Sequence, residues 1–236
     1  MHNPIAVGIG AVSLVGAGLF GFLGQRYGKR SRLIGATEEV DLAKLPGGFV
    51  KVRGRVKFGP TTLEGPLTQK RCAYYRFEVY RLSGGRVKRW IRVFSDAKAV
   101  PFFLEDKTGR GRVDLAGAEV KLAAESGWGE DGEALPASMA QKVRELYGRD
   151  FQSSFATPTR YNEAVLEEDE KLFVVGTSQL GDDGRYVVKK ADSLCVASDE
   201  DEGAIAYQAN HAKFVSYFQA GAATLFGLLF LWMGLR

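Results

Sequence analysis

Glu105 and Asp106 are adjacent carboxylates in the stretch VPFFLEDKTGRGRVD, residues 100–114, which also holds the Thr108 hydroxyl, two glycines and two arginines. Paired carboxylates could share acid/base or metal work, and a glycine-rich cationic loop could cradle phosphate. Adjacent residues on a strand point to opposite faces, however, so these two do not converge on one substrate atom without a bulge. Lys107 to Gly111 also lacks the GxxxxGK[ST] order that wraps phosphate ahead of a helix. The stretch reads as a hairpin turn, with Asp106 and Thr108 bonding the turn backbone and Gly109 supplying positive φ.

Other chemistry is thinly supplied. Cys72 and Cys195 are the two cysteines and His2 and His211 the two histidines. Their separations exclude a CxxC pair or a zinc knuckle, so no metal and no cofactor is expected. The thiols read as buried and free in a reducing compartment, whereas a disulfide would argue for a domain facing outside. Gly16 to Gly21 matches GxGxxG, but that fingerprint must join a strand to a helix, and here it lies inside an uncharged apolar run.

That run, Pro4 to Leu23, and a second, Phe214 to Leu235, carry no charge. Each approaches the length of helix needed to cross a bilayer core of about 30 Å. A cleaved signal peptide wants positive charge before a shorter apolar core, whereas Arg26, Lys29, Arg30 and Arg32 follow this one, so a retained anchor is expected. Those cations predict an outside N-terminus and a cytoplasmic central domain. Lys213 before the second run and Arg236 after it agree weakly. Ser13, Ala17 and Gly21, with Ser216, Ala220 and Thr224, place small residues at four-residue spacing, which suits helix pairing or oligomers, or simply lipid-facing surface. The expected organisation is a membrane helix at 4–24, a basic juxtamembrane segment and connector at 25–44, a β-rich domain at 45–200, a helical lead at 203–213 and a second membrane helix at 214–235.

Net charge is +4, but five cations flank the apolar runs, which leaves the middle near neutrality and removes any general case for nucleic acid. Residues 44–112 hold 17 cations and 5 acids, and residues 113–202 hold 9 and 20. The two halves are expected to complement each other or to present opposite faces.

Strand signals fill the middle. FVKVRGRVKF, residues 49–58, alternates Val50, Val52, Gly54 and Val56 with Lys51, Arg53, Arg55 and Lys57. Cys72 to Leu82 puts Ala73, Tyr75, Phe77 and Val79 inward and Tyr74, Arg76, Glu78 and Tyr80 outward. A turn at Ser83-Gly84-Gly85 leads to a strand from Arg86 to Ser95, with Val87, Ile91 and Val93 on its apolar side. Further strands are expected at 100–104, 111–115, 118–124, 171–178, 185–190 and 193–197, the pair 171–178 and 185–190 turning at 181–184. A loop is expected at 126–133. One amphipathic helix is read at 135–147, with Met139, Val143, Leu146 and Tyr147 on one face and Ser138 with Gln141 as its capping box. The fold class is mainly β, an OB-like barrel or packed antiparallel sheets with one amphipathic helix, flanked by two transmembrane helices. Lys51, Arg53, Arg55 and Lys57, with Lys88, Trp90 and Arg92 on a neighbouring strand, form a candidate face for a protein partner, for anionic lipid headgroups or for nucleic acid; a solvated face balanced by the acidic half is the plain alternative.

The order GFVKVRGRV, PLTQKRCAYYRFEVY, a Trp-containing strand, VPFFLEDKTGRGRVD and RYNEAVLEEDEKLFVVGTS, set between two membrane spans, resembles the GIDE ("beside a membrane", BAM) domain of mitochondrial membrane-anchored E3 ubiquitin ligases and their prokaryotic relatives. The likeness covers about residues 45–235. It implies an OB-like β domain beside a bilayer and, in the ligases, a zinc-bound RING after the second span, a domain for which this chain, ending at Arg236, lacks the cysteines. In mitochondrial members the domain faces away from the cytosol, the reverse of what Arg26 to Arg32 predict. The expected role is therefore a non-catalytic scaffold or a partner- or lipid-binding module. The alternatives are a component of a ubiquitin-ligase-like system and an OB-type nucleic-acid-binding module.

Overall fold

A computed structural model describes residues 3–84, 87–122, 126–129, 135–149, 151, 158–181, 186–190, 195–198 and 202–235. Three α-helices, α1 (Pro4–Ala36), α2 (Ala137–Tyr147) and α3 (Glu202–Leu235), accompany thirteen strands among these residues. The chain divides into two units, Met1–Glu38 with Asp201–Arg236, and Glu39–Glu200.

In the first unit α1 starts where it does because Asn3 caps it: its side-chain oxygen accepts from Ile5 N at 3.1 Å and Ala6 N at 3.3 Å, ahead of Pro4 in the first turn. Pro4–Gln25 and Asn210–Leu235 are long and apolar enough to cross a membrane. Both helices continue beyond those spans, so Arg26, Lys29, Arg30 and Arg32, whose side chains lie outside the described residues, sit on α1 itself. The helices pack antiparallel, and glycine permits the closeness: a Cβ on Gly10 would meet the Gly227 carbonyl oxygen at 2.8 Å, and one on Gly234 would meet Val7 N at 2.9 Å. Of the small residues read as a packing set, Ala17 and Ser216 are buried, while a Cβ on Gly21 would meet open space. The hydroxyls of Ser13, Ser216 and Thr224 donate to carbonyls of their own helices.

The second unit holds the strands β1 (Gly48–Lys57), β2 (Leu63–Glu64), β3 (Arg71–Cys72), β4 (Tyr74–Leu82), β5 (Trp90–Ala99), β6 (Phe102–Glu105), β7 (Arg110–Val113), β8 (Glu119–Lys121), β9 (Ser126–Trp128), β10 (Thr159–Leu166), β11 (Lys171–Leu180), β12 (Tyr186–Lys189) and β13 (Val196–Ser198). β1 pairs with β6 and also with β11, so β1, β6, β7, β12 and β11 close into a ring in which only β7 and β12 run parallel. This is a five-stranded barrel of OB type, as the sequence pattern leads one to expect. β13 and β8 extend the sheet from β11. Inward residues alternate as two-residue periodicity requires: Val50, Val52, Val56, Phe102, Leu104, Val113, Leu172, Val174 and Val188 form one core. Fully burying such a side chain contributes about 1.5–3 kcal/mol.

A second sheet, ordered β5-β4-β10-β9, arises from the long excursion between β1 and β6 together with later strands. Its core, with Phe77, Tyr75, Val79, Tyr161 and Val165, is covered by α2 through Val143, Met139 and Tyr147. Gly148, left-handed at φ 62°, ends α2 by donating to the Arg144 carbonyl.

Several local expectations are corrected. Ser138 lies inside α2, after Pro136 at the cap, so there is no capping box. Leu146 is 55% exposed rather than part of the packed face. β9 occupies Ser126–Trp128, within the expected loop. The outward face of β4 is covered as well: Tyr74 and Glu78 are buried, and Arg76 donates to the carbonyls of Val120 and Leu122. β5 begins at Trp90, not Arg86, and a bulge shifts its register opposite Val79 and Tyr80. Phe94 takes the inward place instead of Val93, and Val87, Ile91 and Val93 are 64%, 54% and 46% exposed rather than on an apolar side. Residues 182–184 of the turn read at 181–184, parts of the loop at 126–133 and residues 85, 86, 193 and 194 lie outside the described residues.

Candidate functional site

The outward row of β1 is where cationic sequence meets a hollow. Alternation sends Lys51, Arg53, Arg55 and Lys57 to the outside of the barrel, opposite the buried valines. Arg55 is the position where β1 changes partners, pairing with Lys171 on one side and Glu105 on the other. A Cβ on Gly54 would meet the Glu105 carbonyl oxygen at 2.8 Å, so the strand can approach β6 this closely only with glycine there. Around this bend lies a groove of about 680 Å³ lined by Arg53, Arg55, Lys57, Lys107 and Lys171 with Glu39, Asp41, Glu105 and Asp106.

The cations are held in place by neighbours. Arg53 lies 3.6 Å from Glu39 and 5.3 Å over the Phe173 ring. Arg55 donates to the Asp169 carbonyl at 2.8 Å, and Lys57 pairs with the Asp169 carboxylate at 2.5 Å. That hydrogen bond raises the Lys57 ammonium and lowers the Asp169 carboxyl from their ordinary values. Asp169 belongs to the acidic turn between β10 and β11, whose Glu168 accepts from Phe58 N and whose Glu167 pairs with Lys70. The oppositely charged halves thus meet at the end of β1. Lys51 departs from the expected solvated row: it is only 8% exposed, against the residue-39 segment.

The other three members of the candidate face are elsewhere. Trp90 and Arg92 stand on β5, whose only strand partner among the described residues is β4, and Lys88 stands in the loop before it. β1 and β5 are not neighbours, because the excursion between β1 and β6 forms its own sheet. Arg92 pairs with Glu78 at 2.7 Å, and Glu78 also accepts from the Tyr80 hydroxyl. Sequence reasoning missed Glu39, Asp41, Lys107 and Lys171, which come from a connector, a turn and a strand end; the acidic EEDE run after RYNEAVL was the available signal for what faces the cations.

Asp106 and Thr108 bond the turn backbone, but Gly109 does not take the positive φ expected of it; a Cβ there would instead meet Ala43 at 3.1 Å. Asp106 accepts from Thr108 N, the Thr108 hydroxyl and Gly109 N at 2.6–2.8 Å, and also from Leu42 N at 3.1 Å. Burial on its own raises this carboxyl, but the Thr108 hydroxyl and the three amides outweigh it and hold the group below its ordinary value. A depressed carboxyl stabilises the fold fully above its unfolded value and loses that contribution as pH falls through the folded one. Acid titration of unfolding is therefore expected to show a slope below about pH 4 that Asp106→Ala flattens; identical slopes in the two proteins would refute this role. Glu105 instead pairs with Arg110, 3.3 Å away. The two carboxylates have separate partners and form no acid/base pair.

Cys72 is buried in the core of the second sheet, and burial pushes the Cys195 thiol up to about 11. His211 lies on α3. Among the described residues no group of three His, Cys, Asp or Glu could hold a metal.

No curated protein matches the chain. The model of the GIDE family, described as E3 ubiquitin ligase, matches residues 73–230, from the start of β4 through most of α3. The match covers more than half of the chain, and its barrel, second sheet and terminal helices carry the motifs in the expected order, so the protein belongs to the GIDE family.

Proposed function

We propose that the protein is a two-span integral membrane adaptor, with a β unit that binds an acidic segment of a partner protein in the β1 groove and performs no chemistry itself. The observation that carries this is the groove of about 680 Å³ with five cations converging on one bend of the barrel. Charge complementarity of this kind supplies specificity and on-rate. The reading extends to a cytoplasmic β unit, supported by the cations that follow the first span; labelling of Leu146→Cys in intact and opened cells tests that side.

Nucleic acid fits the surface less well. Arg71 and Arg110 already cover the rings of Phe58 and Phe103, the faces on which bases would stack, and Phe173 under Arg53 is buried. A ligase component is the second reading, favoured by the family's description. It needs zinc-binding chemistry from outside these 236 residues, because their two cysteines and two histidines supply at most one tetrahedral set. Ubiquitin conjugation by the purified chain with only its activating and conjugating enzymes would overturn the adaptor reading.

Replacing Lys107 and Lys171 with glutamate is expected to weaken capture of the partner at least about tenfold, and Arg53→Glu with Arg55→Glu at least as much. Lys107 and Lys171 are exposed, so the first pair leaves folding intact. Partners recovered equally by wild type and the lysine pair in a quantitative pull-down would remove the groove from consideration.

A further inference from the structure

The tip of the β4–β5 hairpin has a composition unlike the rest of the unit. Between Val79 and Ser95 the chain carries Arg81, Arg86, Lys88, Arg89 and Arg92 and no acid. The residues on either side of the turn are tied together: Ser83 N donates to the Arg89 carbonyl at 2.8 Å, Arg89 N donates to the Ser83 hydroxyl at 3.1 Å, and Leu82 lies opposite Trp90. Its large apolar side chains have no core to enter. Val87, Ile91 and Val93 are 64%, 54% and 46% exposed; the bulge gives Phe94 rather than Val93 the inward place, and Val87 and Ile91 lie towards the turn. Lys88 and Arg89 beside them are exposed.

Exposed aliphatic residues and a half-buried tryptophan next to the exposed Lys88 and Arg89 combine the two requirements of a membrane surface. Apolar groups enter the acyl boundary, Trp favours the interface, and Lys and Arg are drawn to anionic headgroups. A protein partner would be expected to bring acids against the cations but to bury such aliphatics within a larger apolar patch; here three of them stand at the end of the β4–β5 hairpin, where β10 begins beside β4 at Thr159. We infer that the β4–β5 hairpin docks on an anionic lipid surface, with Val87 and Ile91 entering the interface and Lys88 and Arg89 on the headgroups. This surface is separate from the β1 groove, so it stands whether or not that groove binds a partner.

The test uses the full chain reconstituted in phosphatidylcholine vesicles with or without phosphatidylglycerol. A fluorescent label on Val87→Cys is read against one on Leu146→Cys, an exposed position on α2. Cys72 and Cys195 are buried, so the introduced thiol takes the label. Nitroxide lipid is expected to quench the Val87 label well beyond the Leu146 label, and only in vesicles containing phosphatidylglycerol. Lys88→Glu with Arg89→Glu is expected to reduce membrane occupancy of the hairpin at least about tenfold, while Lys107→Glu with Lys171→Glu leaves it unchanged. Equal quenching at the two positions overturns the inference, as does quenching that is indifferent to phosphatidylglycerol or to the Lys88 and Arg89 changes.

Discussion

Glu163→Ala is expected to lower the stability of the β unit by about 3–5 kcal/mol, because buried donors left unpaired cost about 1–3 kcal/mol each. Glu163 is 1% exposed in the middle of β10. Its carboxylate accepts from Leu67 N at 2.7 Å, Thr68 N at 3.0 Å and the Thr68 hydroxyl at 2.5 Å. It thereby ties the segment after β2 to the second sheet, and its contact with Gly65 is so close that a Cβ there would lie 2.9 Å from the carboxylate. Glu163→Gln keeps the shape but can turn an N–H toward a donor, so it is expected to cost roughly half as much. Thermal unfolding of the purified full chain, followed by near-ultraviolet circular dichroism, measures both. A melting temperature for Glu163→Ala within error of wild type would show that the tie carries no stability.

Phe77→Ala is expected to cost a similar amount, about 3–5 kcal/mol, the usual range for deleting a buried aromatic ring. Phe77 is fully buried, stacked on Tyr147 at 5.4 Å and on Tyr161 at 6.4 Å, and tilted against Phe94 at 6.0 Å. Because Tyr147 belongs to α2, the loss is expected to loosen the helix from the sheet. Amide exchange is expected to accelerate over 137–147 while the barrel strands keep their protection. Uniform acceleration across both sheets would mean instead that the two cores unfold together. Tyr147 is also tied at its hydroxyl, which donates to Asp96 at 3.0 Å as the Tyr75 hydroxyl does. Phe77→Leu, which keeps most of the volume, is expected to retain the helix.

The barrel strands were legible because one face of each meets a core and the other does not. Val50, Val52 and Val56 alternate with cations, and that contrast survives burial except at Lys51. β4 was legible as a strand but not as a central one. Its second face is polar in composition, and only the carbonyls of Val120 and Leu122, more than forty residues on, explain how Arg76 is covered. β5 misled because alternation assumes unbroken register, and a bulge opposite Val79 and Tyr80 exchanged which residues face the core. The candidate face failed as one surface for a related reason: pairing partners are set by topology, so similar composition on β1 and β5 did not make them neighbours. Glu163 was readable in principle, since a lone acid in YNEAVL, between residues that go inward, asks for buried donors.

The doubly paired first strand has a consequence for biogenesis. Val52 lies opposite Val174, so β1 leaves the ribosome roughly 120 residues before the strand that closes its ring. At about 5–20 residues per second of synthesis, it waits on the order of ten seconds with its valine edge unsatisfied. Closure depends on contacts distant in sequence, which are slow to find. A nascent chain arrested before residue 171 is therefore the species most in need of chaperone cover, and α1 by then has already emerged to seek its place in the bilayer.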